Sequence, residues 1–408
     1  MATVIVIGGG PAGMMAAITA ADKHKVILIE KNEKVGKKLF ITGKGRCNIT
    51  NAKDISEFFD YIPGNPHFLY SSLYTYTNED TMNFFNAEGV KLKVERGDRV
   101  FPESDKSSDI ISAFTKALSN KRVEVLLNSS VKKLVEKNNK IVGVLLDNEK
   151  IINGDHFIIC TGGLSYPQTG STGDGLVFAE KVGHHIVTPK PALVPIELKE
   201  EWIKELQGLS LKNVELTIKD YNNKALYKEF GEMLFTHFGI SGPIVLSGSR
   251  VVKDRGNLTA SINLKPALTF EELDKRIQSD FAKYINKDFK NSLNDLLPQK
   301  MIPIVIKLSN INEDKKVNLI TKEERRNLVN VIQNFSLHIK GLRKIDEAIV
   351  TAGGVDVKEI DPSTMRSKLI DNLYFAGEVI DVDAYTGGYN IQIAISTGYL
   401  AGTKVGES

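Results

Sequence analysis

Residues 3–30 read TVIVIGGGPAGMMAAITAADKHKVILIE, and their order decides the fold. Residues 3–7 are a short β-branched apolar run, 11–21 a helix pattern of small residues, and 26–30 a second apolar run that closes on a carboxylate. Between the first strand and the helix stands Gly8-x-Gly10-x-x-Gly13. The first glycine permits the tight turn, the second lets backbone approach a pyrophosphate, and the third lets helix pack closely on strand. The helix start then aims its unpaired amides and the positive end of its dipole at the phosphates. Glu30 ends the second strand, where a carboxylate accepts hydrogen bonds from both hydroxyls of an adenosine ribose and repels a 2′-phosphate. A lone glycine motif is weak evidence. Strand, turn, helix, strand and acid in that order specify a dinucleotide-binding βαβ unit, though not which of NAD or FAD it holds.

The 408 residues are 42% hydrophobic and 25% charged, the balance of a globular protein with two or three folded units. Fifty-three basic side chains against fifty acidic ones leave a formal charge of +3. A protein that coats nucleic acid carries a larger excess or a basic block, so the expected partner is a small-molecule substrate and not nucleic acid. Cys47 and Cys160 lie far apart, with no CxxC or Cys/His spacing, which excludes a disulfide scaffold and a structural metal site and fits a reducing cytoplasm. The nearly uncharged start lacks a basic lead, and Pro11 with the glycines breaks it into strand and helix; no run is long enough to span a bilayer, so no membrane is expected. The oligomeric state is not legible.

Further along, 107–118 reads as an amphipathic helix, and 123–127, 131–136 and 141–146 read as strands, the last two joined by Asn138-Asn139. Residues 156–160 form a buried-type strand broken by Thr161-Gly162-Gly163 before a helix at 173–182. Near Pro189, Pro191 and Pro195 the texture turns to polar-apolar alternation, as in 214–219, with Asp220 and Asn222-Asn223 as turn signals. Thr269 with Glu272, and Thr321 with Glu324, match the capping box of a helix start. After Lys344 the strand vocabulary returns at 348–351 and 373–376, followed by a glycine-rich turn and a small-residue helix at 390–401. The expected architecture is an α/β Rossmann-like domain made of 1–189 and 343–408. It is interrupted by 190–342, with a β-rich part at about 190–266 and 335–342 and a helical part at about 267–334.

Directly after the ribose acid comes VGKKLFITGKGRCNITN, 35–51, a basic glycine-rich segment whose amides, with Lys37, Lys38, Lys44 and Arg46, suit an extended dinucleotide or an electron-rich ring edge. This segment stands with TGGLSYPQTGSTGDG (161–175), PALVP (191–195), GEMLFTHFGISGP (231–243) and FAGEVIDVD (375–383). Together they make the chain resemble, over nearly its whole length, the BaiN-like flavoproteins, also called the aminoacetone oxidase family of NAD(P)/FAD-dependent oxidoreductases.

The resemblance implies a glutathione-reductase-like FAD domain interrupted by a β-barrel-like part and a small helical part, with FAD as cofactor and no metal. It implies that Gly8, Gly10, Pro11, Ala12 and Gly13 hold the pyrophosphate and that Glu30, beside Lys31, holds the adenosine ribose. Lys38, Thr42, Gly43, Gly45, Arg46, Cys47 and Asn48 would line the pyrophosphate and flavin, and Val131 would meet the adenine through its backbone. Thr161, Gly162 and Gly163 would form the close-approach turn, and Gly377, Glu378, Gly388, Tyr389, Asn390 and Ile391 would complete the flavin end. A helix starting near Asn390 would also stabilise the negative charge that develops on the flavin pyrimidine edge during reduction. The ribityl contact falls to Glu378 or to Asp381.

Disulfide reductases of this fold need two cysteines near the flavin, and Cys47 stands alone in its loop, so it is expected to pack or line the flavin and not to act as a nucleophile. Tyr166, His184, His185 and His237 are the polar candidates for proton transfer, and none is assigned as catalytic. Trp202 is expected in the core. The function expected is an FAD-dependent oxidoreductase with NADH or NADPH as a transient co-substrate, which must dock at the flavin because the insert holds no second GxGxxG. One alternative is an amine-type oxidase that uses dioxygen. Another is a redox-responsive RNA- or protein-binding module, for which the lysine-rich insert speaks.

Overall fold

The computed structural model describes residues 1–252 and 256–407, which divide into two compact units, Met1–Ala192 with Ile345–Ser408 and Leu193–Lys344. In the first, five parallel strands stand in the order Leu373–Phe375, His156–Ile159, Thr3–Ile7, Lys25–Ile29 and Glu124–Leu126. Val4, Ile5 and Val6 are completely buried, which is why the central strand reads as an unbroken apolar run and not as an alternation. The first helix, Pro11–Ala20, lies against the last, Tyr389–Lys404, so the two ends of the chain build one core. Small residues permit that approach: a Cβ on Gly398 would stand 2.3 Å from the Ala12 carbonyl oxygen, and one on Gly402 2.4 Å from that of Ala16.

The expected hairpin is present as Val131–Lys137 paired with Lys140–Leu146, and Asn138 and Asn139 both take left-handed backbone (φ 52° and 60°), the geometry that a two-residue hairpin turn demands. Ile151–Asn153 adds a third strand. The strand expected at 348–351 runs instead over Val350–Val355, paired with Ile186–Ala192. Gly353 and Gly354 continue it at φ +91° and +146°; a Cβ on Gly353 would strike the Thr188 carbonyl oxygen, and one on Gly354 that of Val379, each at 2.6 Å. Residues 52–106 carried no reading from sequence. They hold a helix, Asn78–Ala87, started by a Thr77/Asp80 capping box, and two strands, Leu92–Glu95 and Arg99–Pro102, that form a small sheet with Thr50–Asn51.

In the second unit six strands close a barrel in the order Ile196–Leu198, Gly239–Ser241, Ala225–Phe235, Ser210–Lys219, Thr259–Asn263 and Phe335–Leu342. The last strand pairs with both Thr259–Asn263 and Ile196–Leu198, and so shuts the ring. Helices Phe270–Lys283, Ile302–Ser309 and Lys322–Gln333 fill the gap before it, and both expected capping boxes form. Trp202 is half-buried, edge-on to Phe335. The helix Pro243–Val252 went unread in the sequence. The observed class is thus the α/β one expected, with a barrel as the insert's β part. No helix among the described residues is long and apolar enough to cross a membrane.

Candidate functional site

The glycine turn divides its three tasks among three positions. Gly8 sits at φ +105°, and a Cβ there would stand 2.6 Å from the Cys160 carbonyl oxygen. Gly13 lies against the Gly8 carbonyl. Gly10 faces open space, with nothing within 4 Å of a Cβ, and it caps the first helix without a side chain. Glu30 closes the turn from the next strand: it is buried, its Oε2 accepts from the Gly9 amide (2.7 Å), and its Oε1 accepts from the Asn32 amide (2.8 Å) and Asn32 Nδ2 (2.7 Å). Asn32, which the sequence reading did not single out, therefore sets the carboxylate's orientation. The Ser129 amide donates to the Glu30 carbonyl, which brings the chain leading to Val131 alongside. Lys31 points to Asp174 (2.7 Å) and Thr172.

The basic segment spends its charge within the protein. Lys37 meets Glu33, Lys38 meets Glu378 at 2.7 Å, and Arg46 is shared between Glu95 and Asp105 while its guanidinium lies 4.2 Å from the Phe101 ring centre. The Lys44 side chain lies outside what the structure describes. What the loop offers is backbone: Thr42–Gly45 forms a tight turn in which Gly43 and Gly45 take φ +57° and +85°. Cys47 is wholly buried, and burial pushes its thiol up to about 12; Cys160 is buried and raised likewise. Burial thus disfavours the thiolate form of both.

The far end of the chain arrives at the same loop. Gly388, at φ +101°, starts the last helix so close to the Thr50 carbonyl that a Cβ would stand 2.3 Å from its oxygen, and Thr50 Oγ1 donates to Gln392 Oε1 (2.7 Å). Asn51 Nδ2 donates to the Gly387 carbonyl (3.1 Å). Gly377 turns at φ +77° against Ala12, with its amide on Thr397 Oγ1. Tyr389 is stacked on Tyr61 (4.7 Å between ring centres) and meets Phe58 edge-on; Asn390 uses its side chain to pin Ala384 from both sides, with Ile391 next along the helix. These contacts join the glycine turn to Glu30, to Cys160 and Thr161 and to Gly377, and join Thr50 and Asn51 to the start of the last helix, all within one unit.

Two polar atoms support a ligand here. Asn48 Oδ1 and Thr161 Oγ1 are buried and have no hydrogen-bond partner among the described residues. Buried polar atoms are seldom left orphaned, and acceptors beside an open glycine turn and two uncapped helix starts are what an extended dinucleotide satisfies. The residues present fit FAD.

The proton-transfer candidates scatter. His184 is buried, with Nε2 bonded to Ser367 Oγ (2.8 Å) and its ring edge-on to Phe375; burial lowers its pKa, so it is a neutral core residue. His185 is exposed beside Asp356, and His237 is exposed at a hairpin tip of the barrel unit. Tyr166 is half-buried with left-handed backbone (φ 53°), and burial raises its phenol. Asp381 is half-buried, accepts from Asn65 Nδ2 (3.1 Å), and is raised by burial and by Asp383.

The chain matches the family described as HI0933-like protein Rossmann domain over residues 2–404. It is 30% identical to the 3-dehydro-bile acid delta(4,6)-reductase of Clostridium scindens over 98% of both chains. It is 32% identical to the ribosomal RNA dihydrouridine synthase of Haemophilus influenzae, again over 98% of both. Among solved structures, an open-conformation flavocytochrome c3 fumarate reductase superposes with a TM-score of 0.54 at 18% identity, over 99% of this chain and 78% of that one. The 3-ketosteroid delta1-dehydrogenase of Sterolibacterium denitrificans superposes at 0.53 and 13%, over 98% of both. At such identities the two structures speak for the fold alone.

Proposed function

We propose that this chain, which belongs to the HI0933-like family and is an FAD-dependent oxidoreductase, uses NADH or NADPH to add two hydrogens across a carbon–carbon double bond conjugated with a carbonyl. The observation that carries the reading is a shared transformation. A 3-dehydro delta(4,6) bile acid and a uridine base both present an alkene in conjugation with a C=O, and the relatives named for reducing them match this chain end to end. When bound, FAD would supply two-electron redox chemistry between the nicotinamide and the substrate.

The chain's own residues bind and orient. Glu30, fixed by Gly9 and Asn32, presents its carboxylate to the adenosine ribose, and Gly10 leaves room for the pyrophosphate. The start of the helix Tyr389–Lys404 directs its dipole toward the ring end, where negative charge develops on reduction. The small-molecule form of the substrate is favoured over RNA because 53 basic side chains face 50 acidic ones with no basic block, and Lys290, Lys315 and Lys316 of the helical part are paired with Asp314, Glu324 and Asp288.

Anaerobic mixing of the yellow holoprotein with NADH or NADPH tests the first half, and rapid bleaching is expected. Reoxidation by a 3-keto-4-ene steroid tests the second. Reoxidation only by uridine-containing RNA would move the substrate class, and bleaching only by an amine, with dioxygen as the reoxidant, would replace the reading with an oxidase.

A further inference from the structure

We infer that Thr351 is a positioning residue for the cofactor cradle and that Glu378 is its strut, held too fully by the protein to serve as the main ribityl acceptor. The inference rests on the FAD reading above and deepens it. Thr351 belongs to the strand Val350–Val355 and is completely buried. Its Oγ1 accepts two consecutive amides of the turn after the strand His156–Ile159, those of Leu164 (2.8 Å) and Ser165 (3.2 Å). Its own amide donates to Glu378 Oε1 at 2.8 Å. The same Oε1 accepts from Ser165 Oγ (3.0 Å), and Oε2 accepts from Lys38 Nζ (2.7 Å), which also donates to Ser165 Oγ.

One threonine therefore ties together three stretches distant in sequence that the cradle needs: the 161–165 turn, the turn at Gly377-Glu378, and Lys38 at the head of the glycine-rich loop. The fit is tight, since a Cβ on Gly163 would stand 2.5 Å from Thr351 Oγ1. Glu378 receives three hydrogen bonds, one of them from the Lys38 cation, so both carboxylate oxygens are already engaged. Thr161, whose Cα lies 3.0 Å from where a Cβ on Gly8 would stand, begins the turn that Thr351 holds, so a shift of that turn is felt at the glycine motif.

The test compares Thr351→Val, which keeps the shape and removes the acceptor, with Thr351→Ser, which keeps the acceptor. Each is made as the full chain, stripped of flavin and titrated with FAD by fluorescence quenching, with visible circular dichroism of the bound flavin and thermal melting of the apoprotein as further readouts. The valine variant is expected to bind FAD at least about tenfold more weakly with an altered flavin dichroism, and the serine variant to return within about threefold of the parent. Parent-like affinity in the valine variant, or equal loss in both, would overturn the inference. Should the valine variant fail to fold, Ser165→Ala, which removes one strut of Glu378, replaces it: weaker FAD binding by a folded protein supports the inference and parent-like binding sinks it. Parent protein that binds FAD but is not reduced by either nicotinamide would refute the proposed reaction and leave Thr351's role standing.

Discussion

Gly13 lies so close under Gly8 that a Cβ added to it would stand 1.9 Å from the Gly8 carbonyl oxygen, whereas one added to Gly10, three residues earlier, would meet nothing. The same motif thus contains one glycine demanded by the protein and one reserved for a ligand. Gly13→Ala has to push helix from strand, a backbone contact that cannot swing aside, and is expected to lower stability by about 1–3 kcal/mol or more. Gly10→Ala is expected to melt like the parent and yet bind FAD at least about tenfold more weakly, because the methyl occupies the pyrophosphate's place. Thermal melts of both apoproteins beside FAD titrations separate the two roles; a Gly10→Ala protein with parent affinity would mean that nothing approaches the turn.

Glu30 offers a second test by charge alone. Glu30→Gln keeps length and shape but sets an amide group against three N–H donors, Gly9, Asn32 and Asn32 Nδ2, that now serve the carboxylate. FAD affinity is expected to fall by about 1–3 kcal/mol, the cost of losing hydrogen bonds to a charged acceptor. Asn32→Ala, which only frees the carboxylate to turn, should fall by less. Equal losses in both would show that orientation, not charge, is what the ribose requires.

Where sequence was legible, local and global preferences agreed. Residues 3–7 are strand in both readings because an apolar β-branched run buried on both faces has no other stable placement. Thr269/Glu272 and Thr321/Glu324 were readable because a capping box is local chemistry. The Thr77/Asp80 box carries the same chemistry with aspartate in the acid position, and the S/T-x-x-E/Q pattern does not contain it. The glycine-rich loop was legible as a stretch of special backbone, but the ion pairs of its basic residues were not: Lys38 and Arg46 find Glu378, Glu95 and Asp105, partners set by tertiary folding and invisible in a local window. Thr351 and Asn32 were missed for the same reason, since each acts through backbone amides remote from it or through a carboxylate whose role had to be known first.

Cys47 makes a third prediction through its burial. With its thiol pushed up to about 12, the thiolate fraction at pH 8 is on the order of one in ten thousand, so a disulfide reagent should label neither cysteine until the protein is unfolded. Cys47→Ala is expected to cost about 1–2 kcal/mol of stability for the lost packing and to leave reduction of the flavin by nicotinamide within a few-fold of the parent. Fast labelling of the native protein, matched by loss of reduction, would restore a thiol mechanism.

Asp381 supplies the pH test. Its carboxyl is half-buried and accepts from Asn65 Nδ2 and the Gly353 amide, but it faces Asp383 and Asp356, and burial together with these like charges raises its pKa. A carboxylic acid whose folded pKa lies above its unfolded value, near 4, binds its proton more firmly in the native state. Stability therefore falls as pH climbs from about 4 through the raised value and stays lower above it, the reverse of a salt-bridged carboxylate. Asp381→Asn has nothing to ionise. Its melting temperature should match the parent's most closely near pH 4 and exceed it by a growing margin toward pH 7, while other acidic groups affect both proteins alike. Melting curves of parent and variant across that range decide the matter: a margin that stays constant, or that shrinks as pH rises, would show that the Asp381 charge is not penalised in the fold.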